Sequence, residues 1–193
     1  EKDVLSVVSK ISKVPLDSIS NDGKENLKRF EQLLDRNLVN QDEAKNKILK
    51  NLKKSVLGFS NPNKPLSMLF LGQSGGGKTF LTKLLAKAWF NDSLIRIDMS
   101  EFQDKMNSSG LIGASAGYVG YEEGGVLTEK VRNNPYSVIL LDEIEKADKQ
   151  VLNTFLPVLD EGHLTDNKGR LIDFKNTIII MTSNLGVRES QYV

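Results

Sequence analysis

Gly72-Gln73-Ser74-Gly75-Gly76-Gly77-Lys78-Thr79 fits G-x-x-x-x-G-K-[ST], a loop whose backbone wraps a phosphate. The apolar run Met68-Leu69-Phe70-Leu71 before it reads as a buried strand, and Phe80 to Trp89 after it has helical spacing. Strand, loop and helix in that order are the context the pattern requires. Four glycines, Gly72, Gly75, Gly76 and Gly77, let the main chain approach an anion without Cβ clashes. Their N–H groups and the start of the helix offer positive partial charge. In that setting Gln73, Ser74 and Phe80 line the nucleotide, Lys78 reaches the outer phosphates, and the Thr79 hydroxyl holds Mg²⁺. ATP and Mg²⁺ are the expected ligands.

The whole chain narrows the other possibilities. Its 193 residues suffice for one substantial core. A net charge of +1 gives no bulk attraction for nucleic acid or an anionic membrane. Absence of cysteine excludes a disulfide framework and thiol catalysis, and a single histidine, His163, excludes a His-rich metal site. No apolar run approaches the roughly 18 residues a membrane span needs, so neither a membrane nor nucleic acid is an expected partner. Glu1-Lys2-Asp3 does not open a signal peptide and reads as a cut inside a longer chain. Cytoplasm and an organelle interior both fit.

The first third is helical in pattern. Val4, Val7, Val8 and Ile11 form a stripe that Pro15 ends. Asn21-Asp22-Gly23 signals a turn, and Leu27, Phe30, Leu33, Leu34 and Leu38 share a face over 25–38. A further helix opens at Asn40-Gln41, with Ala44, Ile48, Leu52 and Val56 four apart. Lys45, Lys47, Lys50, Lys53 and Lys54 fill the rest of its surface with no acid among them. Such a face is either solvated or turned to a nucleotide or acidic neighbour. Residues 1–40 thus read as a helical linker and 41–193 as the nucleotide-binding unit.

Three more runs read as strands: Leu94–Asp98, Ser137–Leu141 and Thr177–Thr182. The run Ser137–Leu141 is continuously apolar, which suits a sheet covered on both faces. Alternation with helical segments predicts parallel strands and right-handed crossovers. Asp142-Glu143 follows the third strand. Alone, the pair suits a helix N-terminus; downstream of a phosphate loop, the first acid holds Mg²⁺ and the second deprotonates the attacking water. Asn184 follows the fourth strand. Alone it is a turn residue; beside the loop it can bond the water or the terminal phosphate. Lys78, Asp142 and Asn184 all fall at the carboxyl edge of the sheet, where ligands bind. The hairpin pattern 161–170 carries His163, which reads as a surface residue.

Taken in order, Ile97-Asp98-Met99-Ser100-Glu101, Leu111-Ile112-Gly113, residues 117–125, Pro135-Tyr136-Ser137, residues 141–147 and residues 181–186 carry a resemblance across essentially the whole chain. The sequence resembles the second AAA+ ATPase module of Clp-type protein unfoldases, the ClpB/ClpC class. The resemblance implies an α/β P-loop core with a parallel sheet flanked by helices on both faces. It implies a homo-hexameric ring that hydrolyses ATP and threads unfolded or aggregated polypeptide through its pore, in some members feeding a Clp protease. By it, 72–79 is Walker A, Asp142-Glu143 is Walker B, Asn184 is the sensor, and Val39 and Gln41 lie beside the adenine. Gly117-Tyr118-Val119-Gly120 resembles the loop that grips substrate, a use suited to an aromatic between glycines; on its residues alone Tyr118 fits a surface loop as well. The hairpin at 161–170 resembles a second pore loop.

The sequence departs from that pattern in places. Gln73, Ser74 and Gly76 stand where the family has Pro, Thr and Val, and Gly76 adds backbone freedom. Gly110 replaces an arginine, Ser115-Ala116 a pair of prolines, and Asn40 a glycine. Pro157 falls inside a predicted helix over 149–159, where it removes a hydrogen bond and bends the chain. The family's arginine finger, last core strand, sensor arginine and helical lid fall beyond Val193, which implies an incomplete module. Alternatives to a threading ATPase are a nucleotide-binding assembly module with little turnover and a nucleic-acid motor. The neutral charge and the absence of a basic, aromatic-laced patch count against the last.

Overall fold

The structure, a computed structural model, describes residues 23–38, 42–73, 75–104, 108–114 and 124–185. The stripe over 4–11, Val39 and Gln41, Ser74, and the segment with Gly117, Tyr118, Val119 and Gly120 lie outside the described residues. Helices α1 (Gly23–Asn37) and α2 (Asp42–Val56) lead to β1 (Leu66–Leu71) and α3 (Lys78–Phe90). Then come β2 (Leu94–Asp98), a 3₁₀ turn (Met99–Phe102), α4 (Ser108–Ile112), α5 (Val126–Asn133) and β3 (Val138–Asp142). A second 3₁₀ turn (Ile144–Lys146), α6 (Lys149–Glu161), the hairpin strands β4 (His163–Thr165) and β5 (Leu171–Asp173), and β6 (Ile178–Ser183) complete it.

The four long strands pair in the order β1-β6-β3-β2, all parallel. Period-two alternation divides their side chains between two cores. Ile139 and Leu141 of β3 join Ile95, Ile97 and Ile179 against α5, α6 and the hairpin, while Val138 and Leu140 join Met68 and Ile180 against α1, α2 and α3. The fold is the α/β arrangement expected, a parallel sheet with helices on both faces. Of the turn signal at 21–23, Gly23 opens α1, and Asn21 and Asp22 lie outside the described residues.

Helix α1 shares a core with α3. Phe30 and Leu34 are fully buried, and Phe30 meets Trp89 of α3 edge to face at 6.2 Å between ring centroids. The lysine face of α2 does have acidic partners, which come from the helix's own first turn and from α1. Lys47 bonds Glu43 at 2.6 Å and Lys53 bonds Glu31 at 3.0 Å, while Lys45 lies 3.9 Å from Asp35. The two exposed pairs, Lys47–Glu43 and Lys53–Glu31, are worth at most about 1 kcal/mol each; they show what neutralises the face, not what holds it. Helix α6 runs through Pro157 to Glu161, and Gly162 closes it by donating to the Pro157 and Val158 carbonyls.

The hairpin is larger than its sequence pattern. Its strands pair His163 with Asp173 and Thr165 with Leu171, and Asp166 organises the turn between them. The buried Asp166 carboxylate accepts from the N–H groups of Lys168 and Arg170 and from the Arg170 guanidinium. Arg170 also reaches Glu129 on α5, which in turn accepts from Arg132. His163 Nε2 lies 3.5 Å from Glu161, at the surface end of β4.

Burial opposes ionisation of Asp166, but the Arg170 and Lys168 donors outweigh it, and its pKa lies below the ordinary aspartate value. A depressed folded-state pKa gives stability that is complete above the unfolded value and is lost as pH falls through the folded one. Urea unfolding at a series of acidic pH values should therefore show the parent losing stability more steeply on acidification than Asp166→Asn does. Parallel curves would place the acid sensitivity elsewhere.

Candidate active site

The loop leaves β1 at Leu71 and is tied at once to the neighbouring strand, since the Gly72 N–H donates to the Ser183 carbonyl at 3.2 Å. Gly75 and Gly77 have φ of 82° and 85°, and a Cβ built on either would meet nothing within 4 Å. The backbone there demands glycine while leaving open space on its inner side. Gly77 is the N-cap of α3, and no side chain caps it. The first N–H groups of a 13-residue helix are thus left for an anion. Gly76 has no positive φ; a Cβ there would press on the Gln73 carbonyl at 3.1 Å.

Lys78, the first residue of α3, folds back over the loop. Its Nζ donates to the carbonyls of Gly72 and Gln73, the latter at 3.0 Å, and to Asn184 Oδ1 at 3.1 Å. Thr79 is next on the same turn, half-buried, and Phe80 beyond it is largely exposed.

The acid pair stands two strands away. Asp142 ends β3, with Oδ1 accepting from Thr182 Oγ1 and Oδ2 from Arg96 of β2 at 2.7 Å. Glu143 takes φ 57°, a left-handed conformation that costs a non-glycine residue about 1–3 kcal/mol. Its N–H donates to Thr182 Oγ1 at 3.0 Å, so one buried hydroxyl holds both acids. The Glu143 carboxylate is ion-paired to Lys146 and accepts from Asn184 Nδ2 at 3.3 Å. The Lys146 pKa is raised, chiefly by that bond. The Asn184 N–H donates to Glu145 Oε1 at 3.0 Å.

The structure therefore brings Lys78 and Glu143 each into contact with Asn184, with Asp142 next to Glu143 in the chain. The Asn184 amide is the bridge, one end on the lysine and the other on the glutamate. Thr182, Arg96, Glu145 and Lys146 were not singled out by sequence reasoning. Thr182 had a readable signal, as a hydroxyl breaking an otherwise apolar strand next to the tip. Arg96 had a weaker one, a charge inside the run Leu94–Asp98. Among the described residues no group of three or more His, Cys, Asp or Glu is placed to hold a metal. The donor set present, one hydroxyl at Thr79 and one carboxylate at Asp142, suits a hard cation that keeps water and takes phosphate oxygens as its other ligands.

No helix among the described residues is long and apolar enough to cross a membrane. The family model for the AAA domain (Cdc48 subfamily) matches residues 63–192, and that for Torsin matches 17–107. The chain is 50% identical over 189 residues to the chaperone protein ClpB of Vibrio vulnificus strain YJ016, covering 96% of this chain and 22% of the relative. It is 49% identical over 194 residues to the ATP-dependent Clp protease ATP-binding subunit ClpC of Staphylococcus aureus strain USA300, covering 99% and 24%. The chain thus spans less than a quarter of either relative's length.

Thr182 is 1% exposed and satisfies both acids at once. Thr182→Val should lower ligand-free stability by about 1–3 kcal/mol, the cost of leaving buried polar groups unpaired, and Thr182→Ser should recover most of it. Urea midpoints equal for Val and the parent would remove the hydroxyl from the account.

Proposed function

The chain belongs to the Clp-type AAA+ family, and from that premise we propose that the carboxyl edge of its sheet binds ATP with Mg²⁺ and hydrolyses it. The observation that carries the reading is the Asn184 amide, which joins the phosphate-loop lysine to the second acid. A residue so placed touches both the group that holds a terminal phosphate and the group that activates water.

The site residues take roles that follow from their positions. The uncapped first turn of α3 and the loop N–H groups receive the phosphate chain. Lys78, held now by loop carbonyls, exchanges them for outer phosphate oxygens. Thr79 and Asp142 would hold Mg²⁺, which supplies charge neutralisation across those oxygens when bound. Glu143 accepts the proton of the attacking water as its oxygen bonds to the terminal phosphorus and the bond to ADP breaks. Asn184 orients that water. Val39 and Gln41 would flank the adenine.

Beyond the site, we read the parent protein as an ATP-driven protein unfoldase or disaggregase. Its homo-hexameric ring grips unfolded polypeptide through Tyr118 in the loop 117–120, and a Clp protease is a further partner if the parent is of the ClpC kind. The family resemblance supports this, as do the names of the two relatives. A second reading, an assembly module with little turnover, is favoured by one observation: the Glu143 carboxylate is tied to Lys146, so the base is engaged before any water reaches it.

Hydrolysis by the full-length protein separates the two readings. Glu143→Gln should cut turnover by about 10²–10⁴-fold while nucleotide still binds; unchanged turnover would remove Glu143 from the chemistry, and binding without turnover by the parent would favour the assembly module. Tyr118→Ala should leave basal hydrolysis near the parent value and abolish unfolding of a fluorescent substrate protein. Intact unfolding would defeat the gripping role.

A further inference from the structure

Glu145 follows the acid pair by two residues and has no part in the chemistry above. It sits in the 3₁₀ turn Ile144–Lys146 that hangs from Glu143. One of its oxygens, Oε1, accepts the Asn184 N–H at 3.0 Å. The other, Oε2, is buried with no hydrogen-bond partner. A carboxylate with a buried oxygen that lacks a hydrogen bond is expensive to keep. Its pKa is nonetheless lowered: burial opposes ionisation, and the N–H groups of Glu145 and Asn184, the Ser183 hydroxyl and Lys146 outweigh it.

Asn184 is the residue that needs such a partner. It is the first residue past the β6 ladder, whose last inter-strand bond to the loop is made by the Ser183 carbonyl. Beyond that point the sheet no longer directs the chain, and the Asn184 N–H goes to Glu145 rather than to a strand. Its side chain then spans from Lys78 to Glu143. The contacts close a triangle: Glu143 to Glu145 along the chain, Glu145 to the Asn184 backbone, and the Asn184 side chain back to Glu143.

We infer that Glu145 is the positioning residue of this site, fixing the Asn184 backbone so that its amide spans Lys78 and the catalytic glutamate. The inference rests on the proposed ATPase reading for its consequence, but its structural core does not. Asn184 is held from the acid strand's own turn, its backbone by Glu145 and its side chain by Glu143. Glu145 acts through Asn184 and touches no reacting atom.

Two measurements on the intact protein test it. The first is amide hydrogen exchange without nucleotide. Glu145→Ala should speed exchange at Asn184 by about tenfold or more, the loss of one charge-assisted bond, while the Ile180 amide in the same strand keeps its parent rate. Glu145→Gln, which retains an acceptor oxygen, should restore much of the protection. Equal acceleration at Ile180 and Asn184, or none at Asn184, would overturn the inference. The second is steady-state hydrolysis, where Glu145→Ala should lower kcat about tenfold with KM for ATP little changed, the signature of a contact that matters in the transition state. A parent-like kcat would overturn the catalytic consequence. If the parent itself neither binds nor hydrolyses ATP, the proposed function fails, and exchange at Asn184 still decides whether Glu145 holds it.

Discussion

Everything at the site depends on β6 being hydrogen-bonded between β1 and β3. The phosphate loop grows from the tip of β1 and the acid pair from the tip of β3, two strands apart. Parallel pairing in register brings all three tips to one edge: Leu71 lies opposite Ser183, and Leu141 opposite Met181. The residues just past β6 therefore stand between the lysine and the acids. Asn184 takes that place and touches both sides, and Thr182 one turn of the pleat earlier meets the acids from within the sheet. The ladder itself is insensitive to side-chain identity. The identity of what fills the central tip is where the chemistry enters.

The sheet can be that rigid because both its faces are covered. The inner residues of β3, Val138 to Leu141, are almost wholly buried, and each faces a different helical layer from its neighbours. Against this frame the tips spend free energy locally. Glu143 adopts a left-handed backbone and Glu145 keeps a buried oxygen unpartnered, whereas the positive φ of Gly75 and Gly77 carries no such strain because both are glycine. Such costs of about 1–3 kcal/mol each persist only where the surroundings over-determine the geometry. The two costs, at Glu143 and Glu145, fall two residues apart just past the tip of β3, as expected of a site rather than of scattered defects.

Much of this was legible in the sequence. The phosphate loop, the four long strands to within a residue or two, and the convergence of Lys78, Asp142 and Asn184 all followed from apolar runs ending in polar residues. The sheet order is what turns those separate tips into one site, and it rests on the alternation of strands with helices. What escaped was the set of contacts between tips. Arg96, Thr182 and Glu145 each matter through a partner 39 to 46 residues away, and no local pattern marks such a pairing; Lys146 pairs with Glu143 three residues before it. The lysines of α2 misled for the same reason: their acids lie partly on α1, which linear spacing on one helix does not show.

A second network shows the same logic away from the phosphate loop. Ile112 ends α4 and Gly125 caps α5, and the two backbones adjoin. A Cβ on Gly125 would lie 2.2 Å from the Ile112 carbonyl carbon, and one on Gly113 2.3 Å from the Asn167 side chain. Both glycines are there because backbone and side chain already occupy the space. Asn167 Nδ2 donates to the Ala114 carbonyl at 2.7 Å, and Arg170, held by the buried Asp166, grips Glu129. The hairpin turn therefore contacts both Ala114 past α4 and Glu129 on α5. Since the hairpin joins α6 to β6, the element whose tip bears Asn184 also continues, through Phe174 and Thr177, from the element that contacts Ala114 and Glu129. Site and hairpin are thus consecutive along one stretch of chain, buttressed at both ends by buried carboxylate contacts rather than by apolar packing alone. Directional contacts of this kind fix relative orientation in a way that apolar burial, which is indifferent to angle, does not.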